Sequence, residues 1–202
     1  LDKRDCKKLC VMCSTSGPLF IIGSVGVKML GNKSAGWLLL LAHVLSVVVT
    51  GLILCLLSKR GDKTQYVRKP YGGNILYDCF CGAVTSVAVA GGFIAFFCVG
   101  AQIATDFKLL YPLELLFNLI DPASSSAVCQ GLIEVTAGCR QISILNTSFK
   151  LPFLGFLITF GGISIILQQL AYLTKAKVSA LYFIAVKFIQ GVICFLFLLI
   201  FI

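Results

Sequence analysis

The chain has 202 residues, 58% of them hydrophobic and 12% charged, with a mean hydropathy of +0.98 and a net charge of +9. Soluble domains carry roughly twice that density of charge, so too little polar surface exists here to coat a soluble globule, and the chain reads as a membrane protein. Its basic residues stand between hydrophobic blocks, the positive-inside pattern, which argues against nucleic-acid binding. Ten cysteines scattered through apolar runs (Cys55, Cys98 and Cys194 among them) read as small packing groups, not a disulfide scaffold.

In chain order, residues 1–8 are basic and polar, and the opening "LDKRDCKKLC" lacks the A-x-A site of a cleavable signal sequence. A start at Leu1 in place of Met is expected of a fragment. Cys6, Cys10 and Cys13 have the C-x3-C-x2-C spacing of an iron–sulfur loop, but no alternating strands and helices follow. At i, i+4 and i+7 they share a helix face, and packing is the plainer reading. The apolar stretch 9–30 is interrupted by "STSGP" (14–18), where proline lacks an N–H and glycine disfavours helix, so a broken span is expected. "GNKSAG" (31–36) is a turn, 37–57 a clear span and 58–74 a basic loop.

The stretch 75–104 is a long span rich in Gly, Ala and Ser, residues that let helices approach closely. "LLYPLELLFNLI" (109–120) is too short to cross about 30 Å of hydrocarbon and contains a proline. Residues 121–143 read as a helix capped by Asp121 or a serine, with Pro122 in its first turn. That helix carries Glu134 and is too polar to face lipid, so a re-entrant segment is expected. A span at 151–171 is broken at "FGG" (160–162), and 178–202 is the last. The expectation is an all-α, polytopic transmembrane bundle with broken and re-entrant helices, one membrane domain over 1–202 with five crossings. Placing 1–8, 58–74 and 174–177 on the cytoplasmic side puts eleven Lys and Arg inside against five outside, Lys187 lying within a span.

Five ionisable residues lie in apolar stretches: His43, Asp78, Glu134, Arg140 and Lys187. Intramembrane charge costs about 2.5–3.5 kcal/mol or more at a helix centre, so such residues default to function. Asp78 is expected at an interface, His43 as an interhelical hydrogen-bonding group, and Lys187 as snorkelling to the interface. Glu134 and Arg140, six residues apart on one helix, do not share a face, so Glu134 needs another partner such as Lys187 or an ion. The paired breaks, "PLFIIGSVGV" (18–27) and "PFLGFLITFGGISI" (152–165), have a faint likeness. Discontinuous helices of this kind expose half-helix ends that hold ions in transporters, although close packing around glycine explains them as well. No Ser-His-Asp set, phosphate loop or paired-carboxylate site is present, so no enzyme, no cofactor and no resident metal are expected.

The run "CSTSGPLFIIGSVGVKMLGNKSAGWLLLLAHVLSVVVTGL" (13–52) resembles the YlbJ (SpoVV) type of sporulation integral membrane protein. "QGLIEVTAGCR" (130–140) is similar to its G-L-x-E-x-T-x-G gate motif, and "TFGGISIILQ" (159–168) to its F-G-G-x-S-x-x-x-Q. Together they cover nearly the whole chain, which looks like the C-terminal half of a longer member. The resemblance implies the nucleoside-transporter "Gate" superfamily and late sporulation, with dipicolinic acid moved across the outer forespore membrane. It marks Ser16, Gly17, Pro18, Glu134, Thr136, Gly138, Gly161, Gly162 and Gln168, and Lys187 as a basic position. Dipicolinate is a flat pyridine with two carboxylates. It would suit helix ends, Lys187 or Arg140, and the hydroxyls of Ser14, Thr15 and Ser164. Lys187 and the half-helix start near Pro18 are expected to hold the anion, with Glu134 and Thr136 lining or gating its path.

Two other classes compete. One is a Gate module passing a divalent metal on Cys98, Cys129 and Cys139. The other is a non-transporting sporulation scaffold. The lipid bilayer and a small anionic substrate are the expected partners, nucleic acid is not, and a homo-oligomer is left open.

Overall fold

The computed structural model describes residues 3–57, 73–173 and 178–201. The basic loop expected at 58–74, save its last two residues, and the loop at 174–177 lie outside the described residues. Every element among those described is helical. α1 is Lys3–Cys13, followed by a π-helix at Leu19–Met29 and α2 at Lys33–Leu56. Next come α3 (Ile75–Asp106), α4 (Tyr111–Phe117), α5 (Ser125–Ile133) and α6 (Val135–Ile144). α7 (Lys150–Phe160) and α8 (Gly162–Leu173) are two halves of one apolar stretch, and α9 is Ala180–Leu199. Among the described residues, four helical stretches are long and apolar enough to cross a membrane: Lys33–Leu56, Ile75–Asp106, Lys150–Leu173 and Ala180–Leu199. The stretch 9–30 instead divides between the end of α1 and the short apolar π-helix.

On α2 and α9 burial runs inside out relative to a soluble protein. α2 buries His43, Ser46 and Thr50 at i, i+3 and i+7, while Leu41, Val44, Leu45, Val48 and Leu52 lie outside. α9 repeats this with Lys187, Gln190, Gly191 and Cys194 inside and Leu181, Ile184, Phe188, Ile189 and Leu196 outside. In water that arrangement would expose the wrong face; in hydrocarbon aliphatic side chains are solvated and polar ones must find each other.

α7 is the centre of the bundle, with every residue from Pro152 to Phe160 buried. It packs chiefly on α9, where the bare backbones of Gly155 and Gly191 make room for Leu198 and the Phe156 ring. Phe153 takes Phe117, Phe149 and Phe195 around it in edge and tilted contacts.

The small residues of 75–104 behave differently from the expectation. α3 is largely exposed, and a Cβ at Gly82, Gly91, Gly92 or Gly100 would meet nothing within 4 Å. Close glycine approach occurs elsewhere, Gly26 against Gly36 and Gly131 against Gly138. The segment expected as one helix over 121–143 starts after a serine, Ser124, one of the two caps the sequence offers, and not at Asp121 with Pro122 in its first turn. Its first helix begins at Ser125, and Asp121 closes the preceding turn by accepting from the Ser124 hydroxyl and the Ala123 N–H.

Candidate functional site

Three interruptions of helix define the site, each with a local cause. The first follows α1. Pro18 supplies no N–H, and the next helix begins with the N–H groups of Phe20 and Ile21 both donating to the Gly17 carbonyl, at 3.0 and 3.2 Å. The second is Glu134, whose extended backbone (φ −134°, ψ 111°) divides α5 from α6. The third is Gly161–Gly162, both in the left-handed region (φ +93° and +63°), a conformation that costs a residue with Cβ about 1–2 kcal/mol.

These breaks meet. A Cβ on Gly162 would lie 2.8 Å from the Gly131 carbonyl and 3.2 Å from that of Leu132, so the α7–α8 break seats directly on the C-terminal carbonyls of α5. The Ser16 hydroxyl donates to the Ile158 carbonyl at 2.8 Å, satisfying a C-terminal acceptor of α7 that the break leaves unpaired. α5 and α6 fold against each other through Gly131 and Gly138, where a Cβ at 138 would stand 2.6 Å from the Gly131 nitrogen.

A cavity of about 410 Å³ opens where the breaks converge. Thr15, Ser16, Gly17 and Phe20 form one side and Glu134, Val135 and Thr136 another. α8 contributes Ser164, Ile165, Gln168 and Gln169, and α3 closes the space with Ala90, Phe93 and Ile94. Ser164 Oγ and Gln169 Oε1 are buried and bonded to no protein group. Glu134 is fully buried and is the one ionisable group among the lining residues. Its two carboxylate oxygens accept from the N–H groups of Thr136 (3.1 Å) and Ala137 (2.7 Å), and the Cys98 thiol lies 3.5 Å from one of them. The chain's own carboxylate thus caps α6, the end where the helix dipole favours negative charge.

Of the residues marked from sequence, the structure brings Thr15, Ser16, Gly17, Glu134, Thr136, Ser164 and Gln168 to this cavity. Ser14, Pro18, Arg140 and Lys187 do not line it. Arg140 is exposed. Lys187, expected to snorkel or to pair with Glu134, does neither. It is 2% exposed and its ammonium donates to the Ser14 carbonyl at 2.8 Å, holding the chain just after α1. Glu134 and Arg140 do not share a helix, because the break falls at Glu134 itself.

His43 bonds across helices through Nδ1 to Thr159 Oγ1 at 2.9 Å. Cys98 approaches the Glu134 carboxylate, but no group of three His, Cys, Asp or Glu side chains gathers to hold a metal among the described residues. Cys6, Cys10 and Cys13 are half-buried or exposed free thiols on α1.

The sequence reading missed Phe20, Phe93, Ile94 and Gln169. Phe20 and Gln169 adjoin marked residues and were reachable by adjacency. Nothing in the composition of α3 distinguishes Phe93 from its other phenylalanines.

Compared with known proteins, the chain is similar over 95% of its length to Sporulation integral membrane protein YlbJ of Bacillus subtilis (strain 168), with 24% identity across 225 aligned positions. It spans about half, 54%, of that relative's length. No protein-family model and no solved structure matches the chain. The resemblance carried by three short motifs therefore extends along nearly the whole sequence. With the four apolar helical stretches among the described residues, it makes the chain an integral membrane protein.

Proposed function

We propose that this chain forms one wall of a transport path for a small, flat organic anion, dipicolinic acid, at the outer forespore membrane during bacterial spore formation. The observation that carries the reading is the convergence of three helix breaks on one cavity inside a membrane bundle. Irregular backbone inside a membrane bundle persists where it is buried in protein or lines a polar cavity, and here residues at or just after all three breaks line the cavity. The cavity is suited to a planar ring with polar ends. Phe20 and Phe93 offer aromatic surface, and Thr15, Thr136, Ser164, Gln168 and Gln169 offer neutral donors. Glu134 holds the α5–α6 break closed by bonding its own helix end, so it acts as a gate and not as a ligand for an anion. Lys187 positions the first break from behind through Ser14. Similarity to a sporulation membrane protein supplies the setting.

The test is uptake of dipicolinate by vesicles holding the full-length protein, read by terbium luminescence inside. Gln168→Leu and Thr136→Val should each lower uptake about tenfold, the worth of one hydrogen bond near 1.4 kcal/mol. Uptake equal to wild type in both variants would refute the cavity as the path. No uptake by wild type, together with normal dipicolinate content in spores lacking the gene, would favour a scaffold.

A further inference from the structure

Polar side chains gather in a second place, which the cavity does not reach. α2 contributes His43, α7 contributes Thr159, and α9 contributes Lys187 and Gln190, three positions apart on one face. None is more than 2% exposed. Their hydrogen bonds do not add up. His43 Nδ1 meets Thr159 Oγ1, but its Nε2 is bonded to nothing in the protein. Both amide atoms of Gln190 are also without a partner. Lys187 donates to the Ser14 carbonyl, and its remaining N–H groups have no acceptor among the described residues. The nearby hydroxyls of Ser46 and Thr50 are spent on the carbonyls of His43 and Ser46.

The charges are as unbalanced as the hydrogen bonds. Glu134 is the buried acid among the described residues, and its oxygens are taken by Thr136, Ala137 and Cys98. Lys187 stands instead on the buried face of α9, which packs on the helix that carries His43, another base. A buried cation with no counter-charge is among the costliest arrangements a protein can adopt. Water could serve the two amide atoms of Gln190, but it cannot supply the missing negative charge.

We propose that Lys187, Gln190 and His43 form a binding site for a small monovalent inorganic anion of chloride size. The ammonium supplies the charge and the free N–H groups, and the Gln190 amide, held by neither atom, can turn its NH2 inward. With the Thr159 hydroxyl donating to Nδ1, His43 presents Nε2–H as the third donor. This site stands apart from the transport cavity and does not depend on what that cavity carries. It touches the cavity indirectly, since Lys187 also holds Ser14, next to the lining residues Thr15 and Ser16. Anion occupancy would therefore bear on how firmly the first break is set.

The experiment is thermal unfolding of the full-length protein in neutral detergent, in sodium chloride or bromide against sodium gluconate at equal ionic strength. A thiol-reactive dye reports the release of Cys129, Cys139 and Cys194, all fully buried. The expected result is a saturable upward shift of a few degrees with either halide, lost in Gln190→Leu and in His43→Phe. Lys187→Met should melt alike in all three salts. Should Lys187→Met fail to fold, the other two variants carry the test. Equal melting of wild type in chloride and gluconate would overturn the proposal and leave water as the occupant. So would a halide shift retained at full size in both Gln190→Leu and His43→Phe.

Discussion

Glu134 is the residue whose replacement the geometry judges most sharply. It is fully buried, and its two oxygens hold the first N–H groups of α6 at 3.1 and 2.7 Å. Glu134→Gln keeps the shape but leaves one acceptor oxygen, and turns an NH2 against the other backbone N–H. The loss is one charge-assisted bond, about 1.5–3 kcal/mol. Against it stands the relief of no longer burying a carboxylate, which leaves a net destabilisation of about 1–2 kcal/mol. At roughly 2–4 °C per kcal/mol for a chain of this length, the melting temperature should fall by about 2–8 °C. Glu134→Ala removes both bonds and the whole cap, at about 2–4 kcal/mol. Thermal release of the buried thiols of Cys129 and Cys139 in detergent measures both variants on one scale. An E134Q protein that melts at or above wild type would show that the carboxylate contributes nothing net to the α5–α6 break, and the gating argument would go with it.

Gly138→Ala should cost about 1–3 kcal/mol or more in the same assay, because the new methyl meets the Gly131 nitrogen and the Ala127 carbonyl, which are backbone and cannot turn aside. Gly162→Ala combines a left-handed φ of +63° with a methyl 2.8 Å from the Gly131 carbonyl. Its uptake of substrate in vesicles should fall further than that of a variant altered on the lipid face of α2, such as Leu45→Ala. Ser16→Ala leaves the Ile158 carbonyl unpaired inside the bundle and should lower stability by about 1–2 kcal/mol, read as an earlier melt. At Asp121, burial opposes ionisation, but bonds from Ser124, Thr147 and the backbone outweigh it and hold the carboxyl below its ordinary range. A depressed carboxyl stabilises the fold above its unfolded value and loses that contribution as pH falls through the folded one. Asp121→Asn should therefore lower the melting temperature at neutral pH and flatten the acid side of the profile, so that variant and wild type converge at low pH.

The membrane character, the helical class and two of the three breaks were legible in the linear sequence because their causes are local. A proline without an N–H at 18 and a glycine pair at 161–162 interrupt a helix whatever surrounds them. Polar residues at i, i+3 and i+7 in a span announce an inner face, as His43, Ser46 and Thr50 do. The third break was not readable, since glutamate is a good helix former and only the tertiary setting turns Glu134 from a member of one helix into the cap of another. Partners were likewise beyond reach. Lys187 invited a carboxylate partner on grounds of charge alone, yet the packing of α9 carries its ammonium to the Ser14 carbonyl, while Glu134 is turned to α6. Composition and periodicity determine which faces avoid lipid, because that preference belongs to each side chain. Which buried polar group meets which depends on how three interrupted helices stack, and that is decided only when the backbones of Gly131, Gly138 and Gly162 come together.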